Sequence, residues 1–101
     1  MNYKNFEFNH NRAVITHTRR TYRATGSGWS YKPIAETSEQ VTTEFYNNFI
    51  TSVPFFKSRV KWAVTDCGRL PVELVTISPD GYIKHVDIFK ITIATGGINQ
   101  C

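Results

Sequence analysis

Residues 20–33 set Arg20, Arg23 and Lys32 among Tyr22, Trp29 and Tyr31 around a Gly26-Ser27-Gly28 pivot, with no carboxylate between them. Cations mixed with flat rings suit a nucleic-acid backbone. Arginines take phosphate oxygens, and an exposed ring stacks on an unpaired base for about 1–3 kcal/mol per base. Arg19 adjoins the stretch, and residues 55–62, Phe-Phe-Lys-Ser-Arg-Val-Lys-Trp, repeat the mixture. There, strand alternation puts Arg59 and Lys61 on one face and Val60, Trp62 and Val64 on the other. The candidate contact residues are Arg19, Arg20, Arg23, Trp29, Tyr31, Lys32, Arg59 and Lys61. A structural reading competes with this one: Tyr22 in the core, Trp29 plugging a sheet edge, and the cations keeping an edge strand in water. If the two basic strands are neighbours, their outward cations merge into one patch.

Other chemistry finds little support. His10, His17 and His85 have no metal-ligand spacing with one another or with a cysteine. His85 with Cys67, oriented by Asp66 or Asp87, would make a nucleophile and base, but any small sheet protein of this composition offers that coincidence. The Asp87-Ile-Phe-Lys90 spacing is not the acid-x-Lys of a nuclease, and Asp80 is accounted for by a turn. Gly26-Ser27-Gly28 precedes the expected helix by about ten residues, too far for a phosphate loop. The expectation is a non-enzymatic binding protein with no catalytic residues, cofactor or metal.

The chain of 101 residues supports one domain over 1–101, with 95–101 as a tail. An apolar content of 41% with 14% aromatic supplies a core, and 20% charged is too little for a disordered polar chain. A net charge of +4 and a pI near 9.3 favour polyanions mildly. The distribution is more informative, because 8–35 and 45–65 lack acids altogether and hold eight of the twelve cations (Arg12, Arg19, Arg20, Arg23, Lys32, Lys57, Arg59, Lys61). Cys67 and Cys101 pair only if the tail folds back, so free thiols are expected. The first ten residues lack the apolar stretch of a signal peptide, and no apolar run reaches membrane-spanning length. These features predict a cytoplasmic protein with no membrane partner.

The elements that would hold the cations follow from period and punctuation. Phe6–Phe8 and Ala13–Arg23 read as a hairpin, with Ile15, His17, Arg19, Thr21 and Arg23 on what alternation makes the wetter face. From Thr37 the period changes: Val41, Phe45 and Phe49 recur at fours, flanked by Tyr46, Ile50 and Val53. The helix is expected over 38–53, capped by Thr37 with Gln40 three residues on, packed through Val41, Phe45, Phe49 and Ile50, and stopped by Pro54. Strands over 59–65, 72–78 and 82–94 are separated by turns, of which Ser78-Pro79-Asp80-Gly81 is the clearest. The fold class expected is α+β, β-β-α-β-β-β, a mainly antiparallel sheet with one amphipathic helix packed on one face.

Two functions fit such a domain. One is binding to nucleic acid or a nucleoprotein complex through the arginine and aromatic surface. The other is docking on a host protein through the uncovered sheet face or the edge of strand 82–94. Homo-oligomers are compatible with either. No residue motif ties the chain to a family. In its shortness, lack of motifs and aromatic content it resembles accessory proteins of phages and mobile elements, among them inhibitors of bacterial defence complexes such as anti-CRISPR proteins. The resemblance implies a small protein that acts on a protein–nucleic-acid machine, as an inhibitor or an assembly subunit.

Overall fold

The β-branched run that starts at Ala13 forms the longest strand in a computed structural model, which describes residues 6–10, 12–53 and 58–93. The elements in chain order are β1 (Ala13–Thr25), β2 (Gly28–Trp29), β3 (Ala35–Val41), α1 (Thr43–Ser52), β4 (Ser58–Thr65), β5 (Gly68–Ile77) and β6 (Ile83–Ile93). Every pairing is antiparallel, and the strands lie side by side as β4, β5, β6 and β1, with β2 and β3 along the remaining side of β1. This is an α+β domain with a six-stranded antiparallel sheet and one helix. The final three strands form the expected meander. Its β5–β6 turn is held by Asp80, whose carboxylate accepts from the Ser78 hydroxyl and the Tyr82 amide. Those bonds hold the Asp80 carboxyl below the usual carboxylate range, and Gly81 takes the left-handed φ of +80° that the turn requires.

Opposed residues in an antiparallel pair point to the same face, so the register reads out both surfaces of the sheet. On the helix side, Thr37, Arg19, Asp87, Leu74 and Val60 form one row, and Glu39, His17 and Phe89 the next. Ile15, Leu74, Phe89 and Ile91 are buried there beneath Tyr46, Ile50 and Val53. The Tyr46 ring meets Phe89, Phe6 and Phe8 edge-on at centroid distances of 4.9, 5.6 and 5.9 Å. Its hydroxyl donates to the Pro71 carbonyl at 2.6 Å, and burial pushes the phenol well above its ordinary pKa. Among the described residues the opposite face has no helix.

Four local expectations are corrected. The helix begins at Thr43, not Ser38: Thr42 is the N-cap, its Oγ1 accepting from the Phe45 amide at 3.0 Å. Residues 35–41 instead pair in register with β1, where an extended partner satisfies the backbone that a helix would otherwise satisfy. The buried helical row is Tyr46, Ile50 and Val53, whereas Phe45 is 40% exposed and Phe49 and Val41 are half-buried. Residues 6–8 do not form a strand. The Phe8 backbone is held by the Asn47 side chain, which accepts from its amide and donates to its carbonyl, both at 2.7 Å, as a neighbouring strand would.

The face of β1 carrying Ile15, His17 and Arg19 is the core face rather than the wetter one. Ile15 is fully buried and His17 nearly so. Strand 82–94 is no edge either, because β6 lies between β1 and β5, and the outer strands are β2, β3 and β4. Cys67, finally, is disulfide-bonded rather than free, its partner lying outside the described residues. The Ile93 amide donates to Asp66 Oδ2 at 3.4 Å, so the chain leaves β6 beside the turn that carries Cys67. The expected tail, 95–101, also lies outside the described residues.

Candidate nucleic-acid interface

The helix-free face is built from alternate residues of five strands. Glu36, Arg20, Val86, Val75 and Arg59 make one row across it, and Ser38, Thr18, Ile88, Glu73 and Lys61 the next. Tyr22, Lys84 and Ile77 lie on one side of these rows, and Gln40, Thr16 and Lys90 on the other. The face thus presents Arg20, Arg59, Lys61, Lys84 and Lys90 against Glu36 and Glu73. Arg20 is engaged, donating from Nε to Glu36 at 2.6 Å. The other four cations make no ion pair among the described residues. Arg59, Lys61, Glu73 and Val75, with Val60, line a cavity of about 350 Å³.

The two basic strands are not neighbours. β6 and β5 lie between β1 and β4, a separation of about 14 Å at the usual strand spacing. Their cations do not merge directly. Between them lie Val86, Val75, Ile88 and Glu73, and Lys84 and Lys90 of β6, absent from the candidate contact residues read from the sequence, flank these rows on either side. Lys84 carries the aromatic component as well: its ammonium sits 4.9 Å from the Tyr22 ring centroid and 5.1 Å from that of Trp29. Trp29 reaches this place because β2 turns back against the end of β1, opposite Ala24. Tyr31, 95% exposed, and Lys32 follow on the loop after β2, and Tyr82, 64% exposed, precedes β6.

Arg19 and Arg23 lie elsewhere. Arg23 is exposed at the far end of β1 and belongs by alternation to the helix side. The Arg19 guanidinium is committed to Asp87, donating from Nε to Oδ1 at 2.8 Å and from a terminal nitrogen to Oδ2 at 3.2 Å. It also lies 5.9 Å from the Phe49 ring centroid. His17 Nε2 donates to the same Oδ1 at 2.7 Å, and its ring stacks on Phe89 at 4.6 Å. A fully buried carboxylate in an aromatic pocket requires such donors, so Arg19 and His17 hold β1 to β6 through Asp87. The readable signal was Asp87 itself, an acid set between Val86 and Ile88 in an apolar strand.

Neither histidine belongs to a nucleophilic arrangement with Cys67, whose sulfur is tied up in a disulfide. His85 Nδ1 lies 3.0 Å from the Thr21 hydroxyl. Burial, and then the charge of Arg19, push its pKa below the ordinary imidazole value, with Asp87 acting in the opposite sense. Among the described residues no helix is long and apolar enough to cross a membrane. The chain matches no family model, no curated protein and no solved structure.

Proposed function

We propose that the chain is a small, non-enzymatic binding protein that takes nucleic acid, alone or within a nucleoprotein complex, on the helix-free face of its sheet. The observation that carries this reading is Lys84 held over Tyr22 and Trp29 on a face with five cations and two carboxylates. Arg20, Arg59, Lys61 and Lys90 supply further positive charge, and Tyr31, Lys32 and Tyr82 extend the aromatic and basic character past one end. The register fixes where these cations leave the sheet, and ordering each long side chain on binding costs about 0.5–1.5 kcal/mol. The experiment is fluorescence anisotropy with a labelled single-stranded oligonucleotide across a salt series. Each phosphate neutralised releases counterions, so affinity is expected to fall steeply with salt and to be lost in Lys84→Glu with Lys90→Glu. Affinity that ignores both salt and the double substitution overturns the reading.

A second reading is favoured by the middle of the same face, where Val75, Val86 and Ile88 run side by side and Ile77 is 44% exposed. An apolar centre with a charged rim is the anatomy of a protein contact. On this reading the chain docks on a host protein, as an inhibitor of a defence complex in the anti-CRISPR manner or as an assembly subunit. Capture from host lysate with and without nuclease separates the two, since only a protein contact survives digestion. A cytoplasmic address suits either partner. The Cys67 disulfide weighs against it, because the cytosol keeps thiols reduced. Thiol labelling of freshly isolated protein decides the point: rapid modification of Cys67 supports the cytoplasm.

A further inference from the structure

We propose that β3 is the contact through which two copies of this chain join their sheets, antiparallel and about a two-fold axis at Ser38. The two longer outer strands, β3 and β4, are built differently. β4 carries Arg59 and Lys61, cations of the kind that keep an edge from pairing, and its ladder with β5 is interrupted between Lys61 and Trp62, where Val72 of β5 is the extra residue. β3, Ala-Glu-Thr-Ser-Glu-Gln-Val, has no lysine, arginine, proline or bulge. Its seven residues run in unbroken register with β1, and six of the seven are exposed. Among the described residues no strand lies on its outer side. An edge of this kind offers a straight row of amides and carbonyls to another strand.

The order of residues in β3 selects the occupant. About Ser38, Ala35 meets Val41 of the second copy, Glu36 meets Gln40, Thr37 meets Glu39, and Ser38 meets itself. All seven residues are paired and no glutamate faces a glutamate, which would be unfavourable directly across a ladder. Axes through Glu36 or Glu39 set a glutamate against its own copy, and an axis through Thr37 leaves Gln40 and Val41 without partners in the strand. Residues of equal parity meet about Ser38, so outward-pointing amides find outward-pointing carbonyls and each sheet face continues into its counterpart. The joined sheets form one surface of double width, with the Tyr22, Trp29 and Lys84 group repeated on both sides. This contact stands independently of what the face binds.

Sedimentation equilibrium of nuclease-treated protein, over a wide concentration range, tests it together with two substitutions at exposed Gln40. The wild type is expected to move from the 11.6 kDa chain mass to twice that value. Gln40→Lys faces Glu36 twice across the axis and is expected to lower the dimer dissociation constant by about 2- to 30-fold. Gln40→Glu is expected to raise it by about the same factor. Circular dichroism establishes that both variants keep the fold. A wild-type chain that stays at monomer mass at millimolar concentration overturns the proposal, as do open-ended assemblies. A dimer that responds equally to both substitutions, or to neither, also overturns it, because the copies then join elsewhere.

Discussion

Asp87→Asn is the most informative single perturbation of the folded chain. The carboxylate is fully buried and accepts three hydrogen bonds, at 2.7 Å from His17 and at 2.8 and 3.2 Å from Arg19. Asparagine keeps the shape but has one acceptor oxygen and no charge, so it retains at most part of this set. Hydrogen bonds to a charged group contribute about 1.5–3 kcal/mol each. The Arg19 side chain is 38% exposed, and water recovers some of what it loses. The expected cost is therefore about 2–4 kcal/mol, against a total stability of about 5–15 kcal/mol for a domain of this size. Urea unfolding followed by circular dichroism measures it, with the denaturant slope unchanged from wild type. A second variant, Arg19→Ala, alone and combined with Asp87→Asn, isolates the coupling between the two groups. A loss below about 1 kcal/mol for Asp87→Asn, or additive effects in the cycle, would refute the placement of Arg19 in the cohesive core.

Further expectations concern the helix and pH. Tyr46→Phe leaves the buried Pro71 carbonyl without its donor and should cost about 1–3 kcal/mol in the same unfolding assay. Tyr46→Ala should cost more than Phe45→Ala, because Tyr46 is buried and Phe45 is 40% exposed; the reverse ranking would contradict the observed rotation of α1. The folded chain holds His85 neutral to lower pH than the unfolded chain does, so the unfolded state binds more protons as pH falls below the ordinary value of 6.5. Stability should decline through that range and level off once the folded imidazole also protonates. His85→Gln should flatten the decline, and an unchanged slope would contradict the assigned burial.

The parts of the fold that were legible are those decided within a few residues. β1 and β4–β6 announced themselves by β-branched content, and the Ser78–Gly81 turn by its proline, aspartate and glycine. The end of α1 was legible too, since the residue before Pro54 is biased to extended geometry and Val53 adopts it. β3 was not, because Thr-Ser-Glu-Gln imitates a helix start and its strand form depends on pairing with β1. The sidedness of β1 was misread for a related reason. His17 and Arg19 look like surface residues until Asp87, about seventy positions away, supplies their partner. Arg20, Arg59 and Lys61 stand out in the sequence by local charge, and the register puts them on one face. Lys84 and Lys90 join them only through the β1–β6 ladder, which no local pattern encodes.

The central claim, that the helix-free face receives nucleic acid, is tested most directly by side-chain chemical-shift mapping during titration with a single-stranded oligonucleotide. The account predicts shifts along Tyr22, Trp29, Lys84, Arg20, Val86 and Arg59, with Ile50, Leu74 and Phe89 undisturbed. Shifts confined to the helix side of the sheet, or none at oligonucleotide excess and low salt, would contradict it.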